Sequence, residues 1–125
     1  MADLRIAIEE KQAESLGFAS FDVPTLSRLA PGCALIVNTT PLGMFPHSEG
    51  NPWPEDVPFP AGAAVYDLVY NPAETALVRA ARQASLKTCT GGGMLADQAA
   101  LSFARWTGVE PPFEVMEKAF TQGEL

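Results

Sequence analysis

Apolar positions along this chain switch repeatedly between two spacings, every second residue and every third or fourth. Leu4, Ile6 and Ile8 alternate with Arg5 and Ala7, which predicts a strand over 4–8. Residues 9–16 are helix formers, with Gly17 in the stop position. A short strand is expected over 18–21. Asp22 then caps a short helix over 24–29, which Pro31-Gly32 ends. The compact apolar run 34–37 predicts a strand buried on both faces.

Residues 38–44 (NTTPLGM) leave that strand's carboxyl end as a polar turn. The five prolines Pro46, Pro52, Pro54, Pro58 and Pro60 make 45–61 an irregular loop, pinned to the surface by Trp53 and Phe59. Residues 64–70 (AVYDLVY) predict the next strand. Asn71 is positioned to cap a helix beginning at Pro72, with Glu74 at its third position as in a capping box. Leu77, Ala80, Ala81 and Ala84 give that helix a buried stripe. A short strand over 86–89 leads into Gly91-Gly92-Gly93. The helix after Met94 carries Leu95, Ala99, Phe103 and Trp106 on one face and stops at Gly108. Pro111 and Pro112 open a last amphipathic helix with Phe113, Met116, Ala119 and Phe120.

Strands alternating with helices predict βαβ units and a parallel sheet, where ligands bind beyond the carboxyl ends of the strands. Three unusual turns fall at those ends: 38–44, Tyr70-Asn71, and 91–94. Their coincidence on one edge favours a single site. In the glycine turn, three residues without side chains admit a ligand close to the backbone. Met94 and Gln98, four apart, set a polarisable surface beside a two-way hydrogen-bonding amide. The same residues also fit a helix capped by glycines, with Met94 in the core and Gln98 on the surface.

Composition narrows the classes. With 125 residues, 47% hydrophobic and 18% charged, this is one ordinary globular domain or a piece of one. A net charge of -7 argues against nucleic acid or an anionic membrane as partner. No apolar run approaches the ~18 residues of a membrane span. Cys33 and Cys89 follow no metal-ligand spacing and read as buried thiols in a reduced, cytoplasmic setting. The single histidine, His47, lies in the proline-rich loop and reads as solvated, so no metal site is expected.

Three stretches together resemble the shikimate dehydrogenase family: 37–44 (VNTTPLGM), 66–72 (YDLVYNP) with Thr75, and 91–95 (GGGML) with Gln98, Ala99 and Ala100. Phe103 and Trp106-Thr107-Gly108 complete the last, and the likeness runs over about residues 34–108. The resemblance implies NADP-linked reduction of 3-dehydroshikimate to shikimate, in aromatic amino acid biosynthesis. It also implies roles. Asn38, Thr39 and Thr40 lie along the cofactor, Leu68, Gly91 and Met94 approach its nicotinamide, and Tyr70 and Gln98 bond the substrate's hydroxyls.

The departures from the family pattern are as informative. The family's separate substrate domain, with its catalytic lysine–aspartate pair, has no counterpart in these residues, so no catalytic residue is assigned. No G-x-G-x-x-G precedes Leu4, so the fold expected is an incomplete Rossmann-like parallel sheet with flanking helices, lacking the first strand and its glycine-rich loop. Residues 1–33 match weakly, 34–108 form the family-like core and 109–125 hold the C-terminal helix. Where the family grips the 2′-phosphate of NADP, this chain has Glu9 and Glu10, which favour NAD or simply a helix N-terminus. Little cofactor binding or activity is expected from these residues alone. Exposed sheet edges and the last helix predict self-association. The alternatives are a binding or assembly module derived from the family, or part of a quinate-type dehydrogenase.

Overall fold

A computed structural model describes residues 17–121. The strand expected over 4–8 and the helix over 9–16, with Glu9 and Glu10, lie outside the described residues. Among the described residues the first element is helix α1 (Val23–Leu29), with Pro24 in its first turn. The Asp22 carboxylate accepts the Thr25 N–H at 2.8 Å, an N-cap that pulls the Asp22 carboxyl below its ordinary value. A 3-10 turn (Ala30–Gly32) follows, and strand β1 covers Leu35–Asn38. After the proline-rich loop come β2 (Ala64–Asp67), α2 (Ala76–Gln83), β3 (Lys87–Thr90), α3 (Gly92–Thr107) and α4 (Phe113–Thr121).

The strands form a parallel sheet in the order β1-β2-β3, with Leu35 beside Ala64 and Ala64 beside Lys87. That register puts Ile36, Val65 and Thr88 on one face and Leu35, Val37, Tyr66 and Cys89 on the other. The first face is covered. Val65 packs with Leu77 and Ala81 of α2, Ala30 of the 3-10 turn, and Trp53 and Val57 of the loop. The loop is irregular as its prolines dictate, yet it supplies core. Trp53 is 6% exposed, donates its indole N–H to the Val57 carbonyl at 2.7 Å, and stacks on Phe59 with ring centroids 5.0 Å apart.

Several expectations are corrected. β1 is not buried on both faces. Leu35 and Val37 are 55% and 44% exposed, because α1 and α2 lie on the side of Ile36. Residues 18–21 are not assigned as a strand, and the side chains of Phe18 and Phe21 are exposed. β2 stops at Asp67 rather than running to Tyr70, and α2 begins after Thr75 rather than at Pro72. The Thr75 hydroxyl caps α2 by accepting the Val78 N–H at 3.2 Å, while Glu74 reaches Arg82 at 2.6 Å instead of closing a capping box. Val78 joins Leu77 and Ala81 as the helix's buried residues, and Ala84 is exposed. Finally, both cysteines are exposed. Cys33 follows the 3-10 turn and Cys89 sits on the sheet face opposite Val65 and α2.

At the far end of the chain Gly108 closes α3 in the left-handed conformation at φ 70°, and α4 folds back against α3. This hairpin leaves Trp106 82% and Val115 66% exposed.

Two outcomes follow in solution. Trp53→Ala should cost about 3–5 kcal/mol in urea unfolding, while Trp53→Phe, which keeps a ring for Phe59 but not the indole N–H, should cost about 1–2. Because the Asp22 carboxyl titrates lower in the folded chain than in the unfolded one, its cap is at full strength above the ordinary carboxylate range. It is lost as pH falls through the folded-state pKa, and a falling protection factor of the Thr25 amide, its exchange rate taken relative to the intrinsic rate at each pH, reports that loss.

Candidate functional site

The carboxyl ends of β1 and β2 are tied together by side chains the strands themselves deliver, and the end of β3 joins them through the backbone. Asn38 and Asp67 are paired neighbours in the register, so both point to the covered face at the last step of their strands. The Asn38 Nδ2 donates to Asp67 Oδ1 at 2.9 Å, and Asn38 Oδ1 accepts both the Thr40 N–H at 3.0 Å and the Thr40 hydroxyl at 2.7 Å. Asp67 Oδ1 also accepts the Val69 N–H at 3.1 Å, and Oδ2 accepts the Thr75 hydroxyl at 2.6 Å. Asp67 is fully buried and none of its partners is charged. Every donor comes from a different segment: the end of β1, the second turn, and the cap of α2.

Backbone bonds extend the connection. The Leu68 N–H donates to the Asn38 carbonyl at 3.0 Å, the Gly91 N–H to the Val69 carbonyl at 3.3 Å, and the Phe45 N–H to the Asn71 carbonyl at 2.9 Å. The first turn bends back at Gly43, whose φ of +87° suits glycine; a Cβ there would also lie 2.9 Å from the Gly50 carbonyl oxygen. Gly91 is needed for a different reason. Its φ is an ordinary -70°, but a Cβ would overlap the Leu68 carbonyl oxygen, so the second and third turns can touch only at a glycine. Gly92 and Gly93 open α3 with nothing near the position of a Cβ. The close approach at Gly91 is therefore made by the chain's own Leu68.

These bonds divide the predicted residues into two groups. Asn38 is 5% exposed and its amide is fully engaged, and the Thr40 hydroxyl is spent on Asn38. Thr39 between them is exposed. Leu68 is half-buried on the second turn and Tyr70 is 45% exposed. Gly91 is buried, Met94 half-buried in the first turn of α3, and Gln98 exposed four residues on. A cavity of about 400 Å³ opens beside the first turn, walled by Ile36, Leu42, Trp53 and Leu77 with Thr39 and Thr40 at its mouth. A groove of about 430 Å³ runs between α3 and α4, lined by Leu95, Gln98, Phe103, Trp106 and Met116. Asp67 and Thr75, which organise the rim, stood outside the expected set. Their signal was an acid inside an apolar strand and a threonine directly before the helix's apolar run.

Known proteins are similar to this chain in sequence and in fold. Residues 91–119 match the model of the Shikimate 5'-dehydrogenase C-terminal domain. Over 112 residues the chain is 38% identical to a shikimate dehydrogenase (NADP+) of Methanocaldococcus jannaschii, covering 90% of this chain and 38% of that one. The chain thus spans well under half the length of that relative. A solved shikimate 5-dehydrogenase of Thermus thermophilus, in complex with NADP(H) and shikimate, superimposes with a TM-score of 0.71 at 34% identity. It is matched over 89% of this chain and 40% of that one. A quinate dehydrogenase of Corynebacterium glutamicum in complex with NAD gives 0.68 at 31%, over 79% and 34%.

The glycine turn separates cleanly by substitution. Gly91→Ala should destabilise the chain by about 3 kcal/mol or more, since the Leu68 backbone must move. Gly92→Ala and Gly93→Ala should be neutral or stabilising by up to about 1 kcal/mol in the same thermal or urea unfolding experiment.

Proposed function

Since this chain belongs to the shikimate dehydrogenase family, matching its C-terminal domain, we propose that it provides the nicotinamide-facing part of an NADP-linked reductase acting on a cyclic hydroxy acid. The reaction is hydride transfer from NADPH to the ring ketone of 3-dehydroshikimate, with a proton completing the new hydroxyl of shikimate. One observation carries this reading: hydrogen bonds join all three carboxyl-end turns into a single rim. Thr39, Leu68 and Met94 stand on that rim with surface to spare, which suits a flat ring bearing an amide. Tyr70 and Gln98 each offer a group that donates and accepts, as a polyhydroxylated ring requires. Asn38 and Thr40 shape the first turn and present its backbone.

The described residues fit only part of a dinucleotide. They include the turns for the nicotinamide end and no glycine-rich turn of the G-x-G-x-x-G kind for the pyrophosphate. Weak cofactor binding and no turnover are the expectation for this chain by itself. The similarity to an NAD-bound quinate dehydrogenase keeps NAD and quinate as the second reading. Leu35 and Val37 on the open sheet face, and Trp106 and Val115 on the α3–α4 hairpin, are apolar surface that favours self-association.

Thermal melting with each ligand tests the reading. Millimolar NADP+ should raise the melting temperature, the gain being about 0.4 kcal/mol when free ligand equals the dissociation constant. Thr39→Ala should shrink that shift, and Tyr70→Phe or Gln98→Ala should leave it intact while removing any added effect of shikimate. No shift with NADP+, NAD+, shikimate or quinate would favour an assembly module. Sedimentation velocity should show dimers or larger species; a single monomeric boundary at micromolar concentration would contradict self-association.

A further inference from the structure

We infer that Asp67 is the positioning residue of this rim, coupling the Asn38–Thr40 turn to the turns that carry Tyr70 and Gly91, an inference that rests on reading the rim as the ligand edge. A buried acid near a candidate site is ordinarily examined for proton chemistry. Here both oxygens are turned inward and occupied: Oδ1 by Asn38 Nδ2 and the Val69 N–H, Oδ2 by the Thr75 hydroxyl. All three partners donate, so position 67 must accept on both oxygens, which a carboxylate does without rearrangement.

The bonds form a continuous path. From Thr40 it runs through Asn38 to Asp67, then through the Val69 backbone to Gly91, with a branch through Thr75 to the start of α2. Loosening any donor frees Asp67 to turn within a fully buried site and disturbs the remaining two. Signals therefore pass between turns that share no direct side-chain bond. Thr75 makes the test possible. Thr75→Val keeps its shape and removes only the hydroxyl, and Thr75→Ser restores the hydroxyl on a smaller residue.

Amide hydrogen exchange followed by NMR on the ligand-free chain reads the coupling. In Thr75→Val the Thr40 amide, which bonds Asn38 and not Thr75, should exchange at least tenfold faster. The Thr40 amide should return toward the wild-type rate in Thr75→Ser, while the amides of the β1–β2 ladder keep their protection in both. Should Thr75→Val fail to fold, Asn38→Ala reads the same path in reverse, through faster exchange of the Gly91 amide. An unchanged Thr40 amide in folded Thr75→Val, an unchanged Gly91 amide in Asn38→Ala, or loss of protection spread evenly over the chain would overturn the inference. Adding NADP+ to the wild type separates the two claims. Failure to bind counts against the proposed function and leaves the exchange coupling standing, and lost coupling with intact binding does the opposite.

Discussion

One carboxylate at the end of the middle strand holds this fold's edge together. Burying a charged acid without a cation is costly unless its oxygens are fully bonded, with an effective penalty of several kcal/mol. Asp67 meets that condition with three donors, and hydrogen bonds to a charged group are worth about 1.5–3 kcal/mol each. From the middle of the three described strands one side chain reaches the end of β1, the second turn and the cap of α2 at once.

Around this anchor the chain assigns shape and contact to different residues. Asn38, Thr40 and Thr75 turn their polar atoms inward and fix the backbone path. Thr39, Tyr70 and Gln98 keep theirs outward. Gly91 lets two turns touch where any Cβ would intrude. A site built this way keeps its outward groups on rigid supports, and preorganisation of that sort lowers the cost of binding. The opposite sheet face, with Leu35, Val37 and Cys89 exposed, has no such bracing from the described helices.

Much of this was legible in the sequence. The order of elements, the parallel sheet and the three turns follow from changes in apolar period and from glycine and proline placement. Trp53 and Phe59 were identified as anchors of the loop, although not as contributors to the core. What periodicity could not reveal was which polar residues bond each other across twenty-nine positions, as Asn38 and Asp67 do. A strand pattern through Leu68, Val69 and Tyr70 looked unbroken because hydropathy takes no account of Asp67 drawing the Val69 amide away from the ladder. The helix start moved for a related reason: Thr75 satisfies α2 and Asp67 together, a double role that the capping pattern at Asn71 and Glu74 does not encode. The exposure of Leu35 and Val37 escaped because an apolar strand predicts a covering on each side without naming the element that supplies it.

The central claim is that segments far apart in sequence act as a single rim toward a nicotinamide. Its most direct test is a map of backbone amide shifts in a ¹⁵N-labelled chain as NADP+ is added. The account predicts that the largest changes fall together on Thr39, Thr40, Leu68, Val69, Gly91 and Met94, with the loop over 45–61 and α1 nearly still. Changes confined to a single turn, or centred on α1 or the proline-rich loop, would contradict it.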